Sequence, residues 1–177
     1  HLTQHLQLSG LCSGKATIQT VSTNVSKYIH RLTKEAAIEV ASKLLPEDRA
    51  ECIEGHGLDP EISLTAAIDH DSVYFRVPSG DIAGAAGVHH DGQIWMLCTE
   101  AIHQCKHTFV REAKRFVDER EEELLWNIVD SRNVTHLKLL RFLGFKFLRI
   151  FPWGPNNIPF IEFCRVRSSS IRRSVVR

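Results

Sequence analysis

One run of the sequence, residues 133–145, constrains the fold of this chain more than any other segment. Leu137, Leu140 and Leu143 recur in it at three-residue steps, so a helix would place all three on one face, where they can pack on a sheet. Gly144 follows them at the point where the end of a helix commonly requires a positive φ angle. The run therefore predicts a short amphipathic helix that ends at a glycine.

Strands are predicted on both sides of this helix. Residues 124–129 are nearly all apolar and suit a strand that is buried on both faces, while residues 145–151 begin directly after the glycine. Residues 152–157 contain prolines and a glycine and predict a loop, and residues 159–166 alternate as a final strand. The C-terminal part of the chain is thus predicted to run strand, helix, strand, strand.

The preceding part of the chain combines short helices with a strand hairpin. Thr33 is a good N-cap for a first helix that Pro46 would end, and Asp59 caps a later helix at residues 60–68. The other predicted elements are a strand at 16–22, a helix at 48–54, a strand at 72–77, a hairpin of 81–89 and 93–98 with a tight type I′ turn at Asp91-Gly92, and a long amphipathic helix from Thr99. Together these elements predict an α+β fold.

Length and composition fit one globular domain with tails. Hydrophobic residues make up 43% and charged residues 24% of the 177 residues, as in ordinary soluble proteins, and no apolar run approaches a membrane span. The net charge of +1 provides no overall attraction to nucleic acid or to a membrane. We predict a flexible arm at residues 1–14, one domain at 15–166 and a basic, mobile tail at 167–177.

The cysteines and histidines predict neither disulfides nor a metal site. Five scattered cysteines without a CxxC pair favour reduced thiols in a cytosolic setting. His103 and His107 are four residues apart near Cys98 and Cys105, which resembles metal-ligand spacing. One helical pair supplies only two ligands, however, and an HExxH motif is absent. Surface histidines and buried thiols are therefore the favoured interpretation, and no metal is predicted.

The predicted order of elements resembles that of the GNAT N-acetyltransferases over roughly residues 16–166. The resemblance implies an α+β fold with a central, mixed, mostly antiparallel sheet of about six to seven strands flanked by helices. More narrowly, the chain resembles a small family of short-tailed bacteriophage proteins that are encoded near the internal virion protein genes. The segments that carry the narrower resemblance are 48–53, His56-Gly57, Asp59-Pro60, 92–97, 109–112 and 133–145.

The resemblance also implies where acetyl-CoA would bind. Active GNAT enzymes hold its pyrophosphate on backbone amides in an Arg/Gln-x-x-Gly-x-Gly/Ala motif ahead of the long helix, where glycines allow close approach. The equivalent residues 99–106 contain no glycine, and Glu100 places a negative charge beside those amides. No cofactor is therefore predicted. If CoA nevertheless binds, the resemblance implies that it is held by Leu97, Cys98, Thr99, Lys106 and Asn133.

A second departure from the family pattern removes the usual general acid. The pattern that begins at Asn133 often has a Tyr seven residues later, which protonates the leaving thiolate, but this chain has Leu140 there. Leucine cannot donate a proton. His136, at the position of a small residue, is the candidate replacement. No catalytic residue is predicted.

Two neighbouring segments were considered as parts of a ligand site. Residues 84–87, Gly-Ala-Ala-Gly, lie within a predicted strand rather than before a helix, so they predict close packing of a neighbouring backbone instead of a phosphate cradle. Trp95 and Met96 lie on the strand that faces the pantetheine arm in active relatives. They would either face that arm or fill its cleft.

These departures predict a pseudoenzyme, a GNAT-like protein without catalysis. The resemblance implies a virion component or assembly factor that contacts other phage proteins in the infected host cytoplasm, with the virion as a second location. One alternative is an active acetyl-CoA-dependent N-acyltransferase with an atypical CoA site that uses His136 or Cys98, and another is a phage protein that binds a host target. Trp153, Arg172 and Arg173 are the predicted contact residues. The basic tail also admits contact with nucleic acid.

Overall fold

The computed structural model describes residues 27–68 and 70–167, which form an α+β fold of two antiparallel sheets flanked by helices. The first sheet has the order β1-β2-β3-β4, with β1 at Ile29–Arg31, β2 at Asp71–Arg76, β3 at Ile82–Val88 and β4 at Ile94–Cys98. The second has the order β5-β7-β6, with β5 at Leu124–Asp130, β6 at Lys146–Trp153 and β7 at Ile158–Val166. Seven strands in the described ranges agree with the predicted fold class.

The helices follow the predicted order with two subdivisions, one of the helix predicted at 48–54 and one of the long helix predicted from Thr99. They are α1 at Lys34–Ser42, α2 at Pro46–Ala50, a π-helical turn at Glu51–His56, α3 at Pro60–Ala66, a 3₁₀ helix at Glu100–Cys105, α4 at Lys106–Asp118 and α5 at Val134–Phe142. The predicted strand at 16–22, the arm at 1–14 and the tail beyond Arg167 lie outside the described residues.

Three predicted helix starts are confirmed by their hydrogen bonds. The Thr33 hydroxyl accepts from the Ala36 amide at 3.2 Å, and Asp59 accepts from the amides of the first turn of α3. The side-chain oxygen of Asn133 accepts from the amide three residues on, at 3.2 Å, and Gly144 closes α5 with a φ of 86°. Local capping chemistry therefore places these helices correctly.

Two predictions about the short helices and the hairpin were wrong. Pro46 does not end the first helix, which stops at Ser42; it begins α2, because proline fits a first helical position where no amide partner is needed. The hairpin turn is not type I′, since Asp91 lacks the positive φ that this type requires. Gly92, with a φ of 84°, instead follows a turn in which its amide donates to the His89 carbonyl at 2.9 Å.

Two further boundaries also differ from prediction. The long helix starts at Lys106 rather than Thr99, because a 3₁₀ helix precedes it. Trp153 ends β6 and pairs with Ile158, so the loop predicted for 152–157 is shorter. Strand β5 is buried or partly buried along its length except at its first residue, Leu124, which is 45% exposed.

The core consists of packed layers that hold the two sheets. Helices α1 and α3 bury Val40 and Leu64 against Ile82 and Ala85 of β3. The prediction for residues 84–87 is confirmed, because a Cβ added at Gly84 would lie 2.5 Å from the Leu97 carbonyl oxygen. A glycine is therefore needed here for close packing of β3 on β4.

Candidate functional site

A cleft opens where the two sheets part. Gln93 and Trp126 form a parallel bridge between the ends of β4 and β5, and the Asn127 side chain donates to the Ile94 carbonyl at 2.7 Å. Beyond this point no further backbone bridge joins the two strands within the described ranges. A cavity of about 420 Å³ lies there, mostly apolar, and its lining includes Leu97, Met96 and Trp95. Trp95 and Met96 thus line the cleft without filling it.

A buried carboxylate lies beside this cleft. Asp48 of α2 is only 7% exposed, and its Oδ2 accepts from the Cys98 amide at 2.7 Å. Its Oδ1 accepts from Nδ2 of Asn133 at 3.0 Å, and the same Nδ2 lies 3.4 Å from Oε2 of Glu51. Cys98 ends β4 and Asn133 is the N-cap of α5, so one carboxylate connects α2 to β4 and to the start of α5.

A second acid and a histidine lie beside Asp48, and both line the cleft. Burial and then the charge of Asp48 raise the pKa of Glu51 to about 8, and burial also raises the pKa of Asp48. Burial lowers the pKa of His136, against the opposing charge of Asp48. Near neutral pH, Glu51 is therefore largely protonated and His136 is neutral.

The π-helical turn that carries Glu51 is fixed by the β6–β7 hairpin. The indole Nε1 of Trp153 donates to Nδ1 of His56 at 3.1 Å, and the His56 ring packs edge-on against Phe160 at 5.0 Å between centroids. A Cβ added at Gly154 would lie 1.8 Å from the Gly55 carbonyl oxygen. These contacts leave no space between turn and hairpin, and they hold Glu51 in the cleft wall.

The stretch equivalent to the pyrophosphate motif, residues 99–105, forms hydrogen bonds within the chain. The Thr99 hydroxyl, buried to 1% exposure, donates to the Ile82 carbonyl at 2.6 Å and accepts from the Ala101 amide at 3.3 Å. The Ile102 amide donates to the Thr99 carbonyl at 3.1 Å, and the 3₁₀ helix engages the amides that follow. Residues 99–105 therefore fit a pyrophosphate poorly, because the amides of Thr99, Ala101, Ile102 and the rest of the 3₁₀ helix already have partners and Glu100 adds a negative charge.

The cofactor candidates are only partly brought together. Leu97 lines the cleft, whereas Cys98 and Asn133 are brought together behind it by Asp48, which engages the Cys98 amide and the Asn133 carboxamide. Thr99 is a buried cap. Lys106 is exposed at the start of α4, whose N-cap residue makes no side-chain hydrogen bond, so this first turn is where an anion could still be held.

The candidate proton donors differ in burial and in the protonation state that burial favours. Leu140 is 4% exposed and packs in the core with Val129 and Phe163, so its position is structural. Burial raises the pKa of the Cys98 thiol well above its usual range, which disfavours the thiolate that acyl transfer would need. Only His136, among the residues considered from the sequence for proton transfer, presents a neutral base to the cleft.

The remaining candidates lie away from the cleft or outside the described residues. His103 and His107 are exposed and belong to different helices, and no group of three or more residues suited to a metal is present within residues 27–68 and 70–167. Trp153 is 42% exposed, with its indole N–H bonded internally, and Arg172 and Arg173 are not described. No helix in the described part of the chain is both long and apolar enough to cross a membrane.

Sequence reasoning missed the roles of Asp48, Glu51 and His56. One signal was present: Asp48 and Glu51 are three residues apart, on the same face of a predicted helix as Cys52, where acids are unexpected if that face is buried. The sequence predicted a helix at 48–54 and a resemblance to the phage proteins there, but no role for these side chains.

Comparison with known proteins supports the fold. No protein-family model matches the sequence, and no curated protein matches it significantly. The chain is similar to yncA of Salmonella typhimurium, solved with its cofactor acetyl-CoA, at a TM-score of 0.58 and 13% identity over 84% of this chain and 98% of that one. It is also similar to a GNAT-family acetyltransferase from Bacillus anthracis, with a TM-score of 0.56, 11% identity and coverage of 78% and 93%.

A third solved structure extends this comparison. Spermidine N-acetyltransferase from Vibrio cholerae, in complex with CoA and spermine, matches with a TM-score of 0.55 and 12% identity over 79% of this chain and 95% of that one. Identities this low establish the fold alone. The chain therefore has the fold of the GNAT acetyltransferases.

Proposed function

We propose that this chain is a non-enzymatic protein that uses the GNAT fold as a scaffold and acts through protein contacts, in the virion or its assembly, for a short-tailed bacteriophage. The observation that carries the loss of catalysis is the self-bonded stretch of residues 99–105. Its amides bond Thr99 and the 3₁₀ helix, and Glu100 adds a negative charge. A pyrophosphate there would have to break these bonds.

The cleft chemistry supports the same proposal. Leu140 is part of the core where the resembling enzymes often have a tyrosine, and the Cys98 thiol is buried. The virion role is supported by the resemblance to the phage proteins of residues 48–53, 56–57, 59–60, 92–97, 109–112 and 133–145. Trp153, with its exposed ring edge, is our predicted contact residue.

One observation favours the competing function, an active acyltransferase. The cleft between β4 and β5 is present at about 420 Å³, and the neutral His136 lines it. In that case the first turn of α4, with Lys106, would have to hold the pyrophosphate. The two functions make opposite predictions for binding of acetyl-CoA.

Titration of the purified protein with acetyl-CoA is expected to give no saturable heat and no change in melting temperature up to millimolar ligand. The physical reason is that the amides of Thr99, Ala101, Ile102 and the rest of the 3₁₀ helix are already hydrogen-bonded within the chain. A ligand at one hundred times its dissociation constant would stabilise the protein by about 2.7 kcal/mol, which a thermal shift readily detects. Micromolar affinity would contradict the proposal.

A matched variant separates residual anion binding from a real cofactor site. Lys106→Ala removes the one lysine at the start of α4 and leaves the cleft unchanged. If weak binding is seen, its loss in this variant with acetyl-CoA and with inorganic phosphate alike identifies a simple anion effect. Binding of acetyl-CoA that survives Lys106→Ala and is competed by CoA would support the acyltransferase instead.

The virion role is tested by mass spectrometry of particles of the encoding phage. The protein is expected in purified virions or in assembly intermediates, at a stoichiometry that is constant between preparations. The known internal virion proteins serve as the positive control, and an abundant host cytoplasmic protein measures contamination. Absence from both particles and intermediates would leave the host-target alternative.

A further inference from the structure

The surroundings of Asp48 point to a second site, separate from the phosphate stretch. We propose that the Cys98 amide and the Asn133 carboxamide form a recognition pair for a carboxylate or carbonyl oxygen, and that the chain satisfies this pair with its own Asp48 side chain. The cleft is then held in a self-ligated state. This inference goes beyond the proposed function and does not depend on whether acetyl-CoA binds.

The geometry is that of a bound ligand. Each oxygen of the carboxylate accepts one hydrogen bond, at 2.7 Å from the Cys98 amide and 3.0 Å from Nδ2 of Asn133. All three residues are buried, with exposures of 7%, 6% and 3% for Asp48, Cys98 and Asn133. The donors come from the end of β4 and the start of α5, 50 and 85 residues away from Asp48 in the chain. Two independent segments therefore converge on one anion.

The buried carboxyl group of Asp48 has no cationic partner in the described part of the chain. Its carboxylate forms no ion pair within 4.0 Å among the residues the structure describes, and the adjacent Arg49 donates to the Ala41 carbonyl instead, at 2.8 Å. Hydrogen-bond donors alone compensate the desolvated oxygens, as in anion-binding concavities built from amides. The pair is thus suited to a carboxylate or carbonyl group rather than to a metal or an amine.

This self-ligation has a consequence for the cleft. The Cys98 amide lies at the end of β4, next to Leu97 of the cleft lining, and Asp48 already accepts from it. An external ligand would have to displace this carboxylate, which also connects α2 to β4 and to the start of α5. Asp48 therefore acts as the internal ligand of the pair and also holds α2 in place.

Removal of the carboxylate should convert the pair into a site for small anions. We expect Asp48→Ala to melt at a lower temperature than the wild type, and formate or acetate at tens of millimolar to raise its melting temperature by several degrees more than chloride at equal ionic strength. The wild type and Glu47→Ala, which removes an exposed carboxylate of the same helix, should respond alike to all three salts. An equal response of Asp48→Ala to formate, acetate and chloride would overturn the proposal.

A second variant keeps the test informative if Asp48→Ala does not fold. Asp48→Asn retains the side-chain volume but has a single acceptor oxygen and no charge, so the two donors cannot both keep a charge-assisted bond. The NMR resonances of the Cys98 amide and the Asn133 carboxamide should both shift, relative to Glu47→Gln. Unchanged resonances at both positions would show that Asp48 is not their ligand. Acetyl-CoA titration of the wild type tests the proposed function. The proposed function and the self-ligation by Asp48 can therefore be contradicted independently of each other.

Discussion

Glu51→Gln is expected to stabilise the protein, and to do so increasingly as the pH rises. The Glu51 carboxyl is 12% exposed and its pKa is raised to about 8, chiefly by burial and then by the charge of Asp48. Glutamine is uncharged at every pH and has nearly the same shape. It therefore avoids the cost of burying a carboxylate that the unfolded chain would release to water.

The sign of this effect follows from proton binding. Between the ordinary pKa of 4.5 and the folded value of about 8, the folded protein retains a proton that the unfolded chain has released. Stability therefore falls as the pH rises through this window and levels off above it. For one group coupled to its neighbours, the expected gain of the glutamine variant is on the order of 2 kcal/mol at pH 8 and close to zero at pH 4.5.

The histidines act at the other end of the pH range. Burial lowers the pKa of His136 and of His56, so the unfolded chain binds more protons than the folded protein below about pH 6.5, and stability falls as the medium becomes acidic. This contribution is common to both proteins. The difference in unfolding free energy between variant and wild type therefore isolates Glu51.

Urea denaturation between pH 4.5 and 9 measures this difference. Glu47→Gln is the matched control, because it makes the same chemical change on an exposed position of α2 and should give a small difference that does not depend on pH. A Glu51→Gln difference that is constant across the range, or that grows toward acid, would mean that the Glu51 carboxyl does not hold a proton in the folded state.

Gly154→Ala is expected to cause the largest loss of stability, at least about 3 kcal/mol. The residue has a φ of 69°, which alanine adopts with strain, and its added Cβ would lie 1.8 Å from the Gly55 carbonyl oxygen. The β6–β7 hairpin would have to move away from the π-helical turn. Glu51 and His56 of that turn would then lose their fixed positions in the cleft.

A second glycine distinguishes the cost of backbone strain from the cost of a steric clash of the added Cβ. Gly80 also has a positive φ, 93°, but a Cβ added there meets no heavy atom within 4 Å. Gly80→Ala should therefore cost only the backbone strain, about 1 kcal/mol. Denaturation followed by tryptophan fluorescence compares the two variants. Equal losses would show that the hairpin and the turn are not in close contact.

Part of the candidate site was predictable because it depends on local sequence. The absence of glycine in residues 99–106 and the presence of Leu140 are properties of the chain itself, and they weaken the case for acetyl-CoA without any coordinates. The assignment of Leu97, Cys98 and Asn133 to a CoA site stays a prediction, although Asp48 does bring Cys98 and Asn133 together. The bonding of residues 99–105 to Thr99 was not predicted, because a missing glycine does not specify what the amides bond instead.

Sequence alone determined the caps at Thr33 and Asp59 and the element order, since caps and periodicity act over three or four residues. Only the tertiary structure decided that Asp48 joins β4 to the start of α5 and that Glu51 is largely buried beside it. A burial cost and a hydrogen bond between segments 50 or 85 residues apart depend on how the layers pack, which no local pattern records. The physical reason is the distance along the chain over which each interaction acts. Hydrogen bonds between near neighbours in sequence set the helices and strands, whereas burial by distant segments sets the protonation and bonding of the side chains in the cleft.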